Sequence, residues 1–226
     1  AEYFNDYVRQ YTDMPFLVRL VESDGRLVPE RFVRASDFAT SCGEANNPEW
    51  KTVAYDEATG EIVVPNGSVG FRWGEKGKWN LEERESTGQD TKLLLSLAET
   101  RDELADVAFP YFGNLEHDQF QGTDHPSVLT RKVPAKRLAL KDGETLVASV
   151  YDLFLANYGI DRGFGGEHLA KNYDDVAPYT PAWAEKISGV PREQIITVAR
   201  EFAVNAEKTR GRSMVIVGAG LNHWYH

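Results

Sequence analysis

The chain has 226 residues, a net charge of −10 from 25 Lys and Arg against 35 Asp and Glu, and an apolar content of 42%. That balance excludes a phosphate-backbone footprint, which needs clustered excess cation, and 27% charged residues are too few for a disordered chain. One cysteine, Cys42, excludes a disulfide framework and any site built from several local thiolates, and no apolar run approaches the ~18 residues of a membrane span.

Tyr3, Phe4, Tyr7, Val8 and Tyr11 recur at i, i+4 spacing, so the chain opens inside a helical pattern. Thr12-Asp13-Met14-Pro15 breaks it. Residues 16–21 then read as a strand closed by a Ser23-Asp24-Gly25 turn. Ser36 and Asp37 are placed to cap a short helix over 38–42, and Asn46-Asn47-Pro48 punctuates again. Residues 51–55 and 61–65 flank a turn at 56–60, the pattern of a hairpin. A Gly-rich stretch with Phe71, Trp73 and Trp79 follows and reads as a packed loop or subunit contact. Its Arg72, Lys76 and Lys78 also leave open stacking on bases or anion binding. Residues 91–97 read as a strand, and a loop-rich zone with His117 and His125 runs to about Val133. Residues 136–140 and 145–148, joined through Asp142-Gly143, give the strongest hairpin signal.

The final third changes character. Ser149 followed by Asp152 is a capping-box-like start, and Gly159 stands where a C′ glycine belongs, which predicts a helix over 150–158. Thr180-Pro181 is an N-cap with an N1 proline, and Ser188-Gly189 ends that short helix. Pro191 opens a longer one, with Ile195, Val198, Ala199 and Phe202 as its core stripe. The pair imitates helix-turn-helix but lacks the basic footprint. Residues 213–217 read as a buried strand running into glycines. The fold class is thus α/β: a helix and linker at 1–15, a β- and loop-rich segment at 16–148, and a helical segment at 149–226 ending in a strand–glycine turn. A start inside a helix and a stop nine residues after a strand predict an internal piece of a longer protein.

The sharpest motif is MVIVGAG at 214–220. Gly218, Ala219 and Gly220 follow a strand, and missing or small side chains let backbone N–H groups approach phosphate oxygens. A dinucleotide fingerprint wants a third glycine at 223. His223 stands there instead, which demotes nicotinamide binding and leaves a tight turn after a core strand as the plain alternative. Asn222, His223 and His226 crowd the end of the strand, where open α/β sheets bind ligands. The two histidines suit metal ligation only weakly without a third ligand. Hydrogen bonds to an anion, a proton relay, or an ordinary surface turn remain open. Cys42 reads as a small buried hydrophobe, and His117, His125 and His168 sit in polar, loop-like surroundings. No nucleophile elbow, Walker loop or carboxylate pair stands out.

Seven segments together resemble one family: NDYVRQYTDMP (5–15), NNPEWKTVA (46–54), GFRWGEKGKWNLE (70–82), VYDL (150–153), LANYG (155–159), YTPAWAE (179–185) and GRSMVIVGAGLNHWYH (211–226). In order and spacing they resemble the catalytic (alpha) subunit of membrane-bound respiratory nitrate reductases, molybdenum enzymes of the dimethyl sulfoxide reductase family. Residues 98–132 match least and read as a variable insertion. The resemblance implies a parent several times longer, holding bis-molybdopterin guanine dinucleotide with molybdenum and one [4Fe–4S] cluster. It places the aspartate ligand of the metal and the cluster ligands upstream of Ala1, so no metal ligand is expected here and the isolated chain is expected to be inactive. It places His223 beside the molybdenum in the substrate cavity. Gly218, Ala219, Gly220 and Asn222 pack against the pterin dinucleotide, with His226 a further candidate nearby. Implied partners are nitrate, an iron–sulfur beta subunit and a haem-bearing membrane gamma subunit, and the implied location is the cytoplasmic face of the membrane. A nitrite oxidoreductase of the same family would share these motifs and run the reaction in reverse. A nicotinamide-binding or non-catalytic interaction module is the alternative of a different class.

Overall fold

Five strands between residues 17 and 149 close into a small barrel. In the computed structural model, which describes residues 5–40, 48–65, 85, 88–111, 127–209, 211–216 and 218, the first element is α1 (Asn5–Tyr11). Its exposed Tyr7 and Tyr11, one turn apart, stack at 4.7 Å. Its other side is pinned by Arg9, whose Nε donates to the Leu93 carbonyl at 2.9 Å.

β1 (Leu17–Ser23) and β2 (Arg26–Phe32) form a hairpin with register Ser23↔Arg26. The two loop residues, Asp24 and Gly25, have φ of 51° and 73°. Two left-handed residues in a row give the primed turn whose twist suits antiparallel strands, and Asp-Gly is the pair that adopts it most readily. Pro29 sits in β2 next to a register shift, where the ladder tolerates a residue without an N–H. β3 (Ala54–Tyr55) and β4 (Ile62–Val63) make the hairpin expected around 56–60.

Three expectations need correction here. The helix over 38–42 is absent at its described residues: 38–40 are bends, and Ala35–Asp37 form a single 3-10 turn, because the Asp37 carboxylate folds back to accept from Arg34 N at 2.8 Å. Residues 91–97 form no ladder strand. They run beside the β3 hairpin through single bonds such as Leu94 N to Tyr55 O (2.8 Å). The zone up to Val133 is not loop-rich where it is described. β5 (Glu103–Tyr111) pairs antiparallel with the first part of β6 (Ser127–Leu140) over nine positions, from Glu103↔Ala135 to Tyr111↔Ser127.

The second part of β6 pairs with β7 (Gly143–Ser149) across the Lys141-Asp142 loop, and β7 returns to β1 through Leu17↔Ser149. The ring β1-β2-β5-β6-β7 therefore closes. An odd number of strands cannot alternate direction all the way round, so one neighbouring pair must be parallel. That pair is β2–β5, joined at the single position Leu27↔Val107.

Alternation sends Val18, Leu20, Val107, Phe109, Leu129 and Val133 into one core. Leu17, Leu138, Leu140 and Val147 point the other way and bury against Val33, Val53, Tyr55 and Leu97. α2 (Val150–Asn157) follows β7 directly and brings Leu153 and Ala156 into the first core. Its start is the expected cap: Asp152 N donates to Ser149 Oγ at 3.1 Å, and Gly159 takes φ 71° beyond its end.

Chain contacts divide into two compact units, Ala1–Leu169 and Ala170–His226. The second holds α3 (Pro181–Ser188) and α4 (Arg192–Thr209). Thr180 Oγ1 caps α3 by accepting from Trp183 N at 3.1 Å, and Gly189 closes it at φ 70°. The expected core stripe of α4 is not buried: Val198 is 66% and Phe202 43% exposed. The predicted buried strand at 213–217 is corrected likewise. Met214, Val215 and Ile216 are 77%, 73% and 81% exposed and find no strand to pair with among the described residues.

Candidate functional site

Two buried charges organise the first unit. Asp152, in the first turn of α2, is fully enclosed. Its carboxylate accepts from Leu97 N (2.7 Å), Ser96 Oγ (2.7 Å) and Ser149 Oγ (2.9 Å), and it pairs with the Arg162 guanidinium. Arg162 also donates to Ser96 Oγ at 2.8 Å and lies 4.9 Å over the Phe164 ring. With both carboxylate oxygens engaged, Asp152 has no lone pair directed at a substrate; it joins the 91–97 segment to the start of α2.

Arg131 is 1% exposed and occupies an inward position of β6 between Leu129 and Val133. Its Nη1 donates to the Ala156 and Asn157 carbonyls at 2.6 and 2.9 Å, satisfying acceptors at the end of α2. Its Nε and Nη2 hold the Glu167 and His168 carbonyls, each at 2.9 Å. A small cleft opens between Arg131, Lys132, Asp152, Arg162 and Phe164. The donors facing it are already spent on the protein's own oxygens. The signal in the sequence was a charged residue at an apolar-in register of a strand, legible only once β6 is recognised as a strand.

Ala219, Gly220, Asn222, His223 and His226 fall outside the described residues, as do Cys42, His117, His125 and the Trp73–Trp79 loop. His168 is exposed and stacks on Tyr111 at 4.5 Å. Gly218 is described. Its φ is outside the left-handed region, and a Cβ there would meet nothing within 4 Å. Neither turn geometry nor packing among the described residues requires a glycine at 218. Among the described residues no three His, Cys, Asp or Glu side chains converge on a metal position, and no helix is long and apolar enough to cross a membrane.

The path into that segment is tightly specified. At the end of α4, Gly211 (φ 88°) donates to the Ala206 carbonyl at 2.7 Å, the long closing bond that commonly ends helices. Arg212 N donates to Thr209 Oγ1 at 3.1 Å. Asn205 Nδ2 then donates to the Arg212 carbonyl (3.3 Å) and to Ser213 Oγ (2.8 Å), and Ser213 Oγ donates to the Phe202 carbonyl (3.3 Å). Residue 213 is thereby drawn back beside the turn at 202–205. Sequence reading missed this arrangement; its signal was the polar run Asn205, Thr209, Gly211, Ser213.

At the other end of α4, Arg192 Nε donates to Glu185 Oε2 at 2.7 Å and Arg192 N to Oε1 at 3.2 Å. The Arg192 side chain, followed by its N–H, holds the Glu185 carboxyl below its ordinary range. Glu185 thus ties α3 to the first turn of α4.

Comparison with known proteins gives the chain its relatives. It is 60% identical to the respiratory nitrate reductase 1 alpha chain of Escherichia coli (strain K12), an alignment covering all of this chain and 18% of that protein. It is 58% identical to the respiratory nitrate reductase 2 alpha chain of the same organism, with the same coverage. With the nitrate reductase alpha chain of Bacillus subtilis (strain 168) it shares 42% identity, over all of this chain and 17% of the relative. The chain thus spans less than a fifth of these relatives. No protein-family profile matches it.

Proposed function

Proceeding from the match of the whole chain to a segment of respiratory nitrate reductase alpha chains, we propose that it is part of the catalytic subunit of a molybdenum enzyme that reduces nitrate to nitrite. The observation that supports this reading is 60% identity sustained across the whole chain. A shared fold alone would leave the chemistry open.

The reaction consumes two electrons and two protons: nitrate gives nitrite and one water. Bis-molybdopterin guanine dinucleotide with its molybdenum supplies the oxygen-atom transfer when bound, and its metal ligand lies outside this segment, as do those of a [4Fe–4S] cluster. The contribution of this chain is a wall of the pocket. Gly218, Ala219, Gly220 and Asn222 would hold the pterin dinucleotide, the missing or small side chains leaving backbone N–H groups open to its phosphates. An imidazole N–H of His223 donates to a nitrate oxygen, orients the ion, and delivers a proton to the oxygen that departs as water. His226 adds a second imidazole to the same neighbourhood. The partners are an iron–sulfur beta subunit and a haem-bearing gamma subunit, which hold the enzyme at the cytoplasmic face of the membrane.

The test is the stoichiometry of the purified full-length parent with reduced viologen as donor. The expected result is one nitrite per two electrons and molybdenum bound to the protein. A parent that carries molybdenum yet leaves nitrate untouched, or that lacks the metal, contradicts the proposal.

A further inference from the structure

From the exposed face of the second unit we infer that α4 and the run Met214-Val215-Ile216 form a docking surface. Its occupant is another segment of the same full-length subunit, one that supplies a strand beside 214–216 and apolar side chains against α4. The inference concerns how the subunit is assembled and is independent of the reaction proposed above.

The second unit has almost no core of its own. Among its described residues Ala182 is the one apolar side chain that is buried. Val198, Phe202, Val204, Met214, Val215 and Ile216 are all exposed, more uncovered apolar surface than so small a unit keeps in water without a partner. The surface is also organised. Ile195, Val198, Phe202 and Ala206 fall within one stripe of α4, while Glu193, Arg200 and Glu207 mark its opposite side. Ser213 is held by Asn205 at 2.8 Å and by the Phe202 carbonyl at 3.3 Å, so the run 214–216 leaves beside the turn that carries Phe202. Three successive apolar residues put apolar side chains on both faces of a strand, the composition of a strand covered on both sides. A helix joined by a short connection to such a run has the form of the second half of a β-α-β unit, whose strand pairs in parallel with a neighbour. That neighbour is not among the described residues: the barrel strands pair with one another round the ring, and 214–216 pairs with none.

Two arguments select the occupant. The chain spans 18% of the relative it matches at 60% identity, so more than four-fifths of that relative's length lies outside it, ample for a sheet and its covering layer. An apolar run with an open ladder is an aggregation site when left for a separate molecule, which favours cover from within one chain.

The experiment uses the full-length alpha subunit, with the same protein unfolded in urea as reference. Val198→Cys, Ile216→Cys and, on the polar side of α4, Glu193→Cys are labelled with a maleimide, counting label beyond that taken up by the parent. Backbone hydrogen exchange at Val215 and Ile216 is followed in the unsubstituted protein. Labelling of Val198→Cys and Ile216→Cys is expected to be at least about 100-fold slower than in urea, as for groups reached only through opening of the structure, with Glu193→Cys within about tenfold of its unfolded rate. Exchange at Val215 and Ile216 is expected to be slow. Val198→Cys or Ile216→Cys reacting as in urea, equal protection of Glu193→Cys, or free exchange at Val215 and Ile216 overturns the inference. Protection that appears only when the beta subunit is added, or only as protein concentration is raised, overturns it too, by assigning the face to a separate subunit or to a second copy. Nitrate turnover enters none of these readouts, so the inference and the function proposed above fail separately.

Discussion

Arg131 shows how one residue can organise a region without taking part in chemistry. A guanidinium buried in a β-strand is tolerated only when its donors are matched, because an unpaired buried charge costs several kcal/mol. Four backbone carbonyls supply the match. The glycines around it follow from that crowding. At Gly166 (φ 141°) a Cβ would lie 2.7 Å from Arg131 Cα, whereas at Gly163 (φ 77°) it would meet open space. Gly163→Ala is expected to cost about 1 kcal/mol, the strain of a left-handed alanine. Gly166→Ala adds a clash with backbone and is expected to cost at least about twice as much. Urea unfolding of the two variants checks this, and equal costs would show that the loop is free to move away from Arg131. None of this was legible in the sequence: Arg131 and Gly166 are far apart along the chain, and only folding makes them neighbours.

Elements whose code is local were readable, and those defined by distant partners were not. The turn residues Asp24-Gly25, the cap pairs Ser149/Asp152 and Thr180/Pro181, and the closing glycines 159 and 189 carry their reasons within a few positions. β5 was missed because Glu103, Ala105, Asp106 and Pro110 are poor strand formers, and its inward Ala105, Val107 and Phe109 become intelligible only opposite β6. The reverse error occurred at α4, where apolar spacing correctly gave the helix but not the burial of its stripe.

Between elements, two carboxylates act as ties. Asp56 accepts from Lys92 N (2.8 Å) and from Thr59, joining the 56–60 turn to the 91–97 segment. Asp37 grips Arg31 with both oxygens, at 2.7 and 2.9 Å. Burial pushes both carboxyls up. For Asp37 the Arg31 guanidinium and Arg34 N–H, and for Asp56 the Lys92 and Thr59 donors, outweigh that and hold them below the ordinary range. A folded value below the unfolded one, about 3.9, means that the stabilisation is complete above that pH and is lost as pH falls through it towards the depressed values. The chain is therefore expected to lose resistance to urea between about pH 5 and pH 3, and Asp37→Asn with Asp56→Asn to flatten that loss. An unchanged pH dependence in the double variant would assign the acid sensitivity elsewhere.

For the whole molecule, the described residues include Gly218 alone of the residues assigned to the proposed chemistry. Among the described residues, the buried Arg131 guanidinium is matched by four backbone carbonyls and the Asp152 carboxylate by Leu97 N, two hydroxyls and Arg162. The final residues, by contrast, begin with an unexplained glycine at 218 and continue to His223, after a helix exit held residue by residue. The resemblance was legible because its motifs run through the whole chain, and the 60% identity to a segment of a respiratory nitrate reductase alpha chain is of the same kind. The proposed site was legible only as a motif, since Ala219, Gly220, Asn222, His223 and His226 lie outside the described residues. The most direct measurement is nitrate turnover per molybdenum in the full-length enzyme carrying His223→Ala. A fall of about 10²-fold or more with the metal fully retained, the range expected when a proton donor to the reacting group is removed, is the predicted result; parental kcat and KM in that variant would contradict the account.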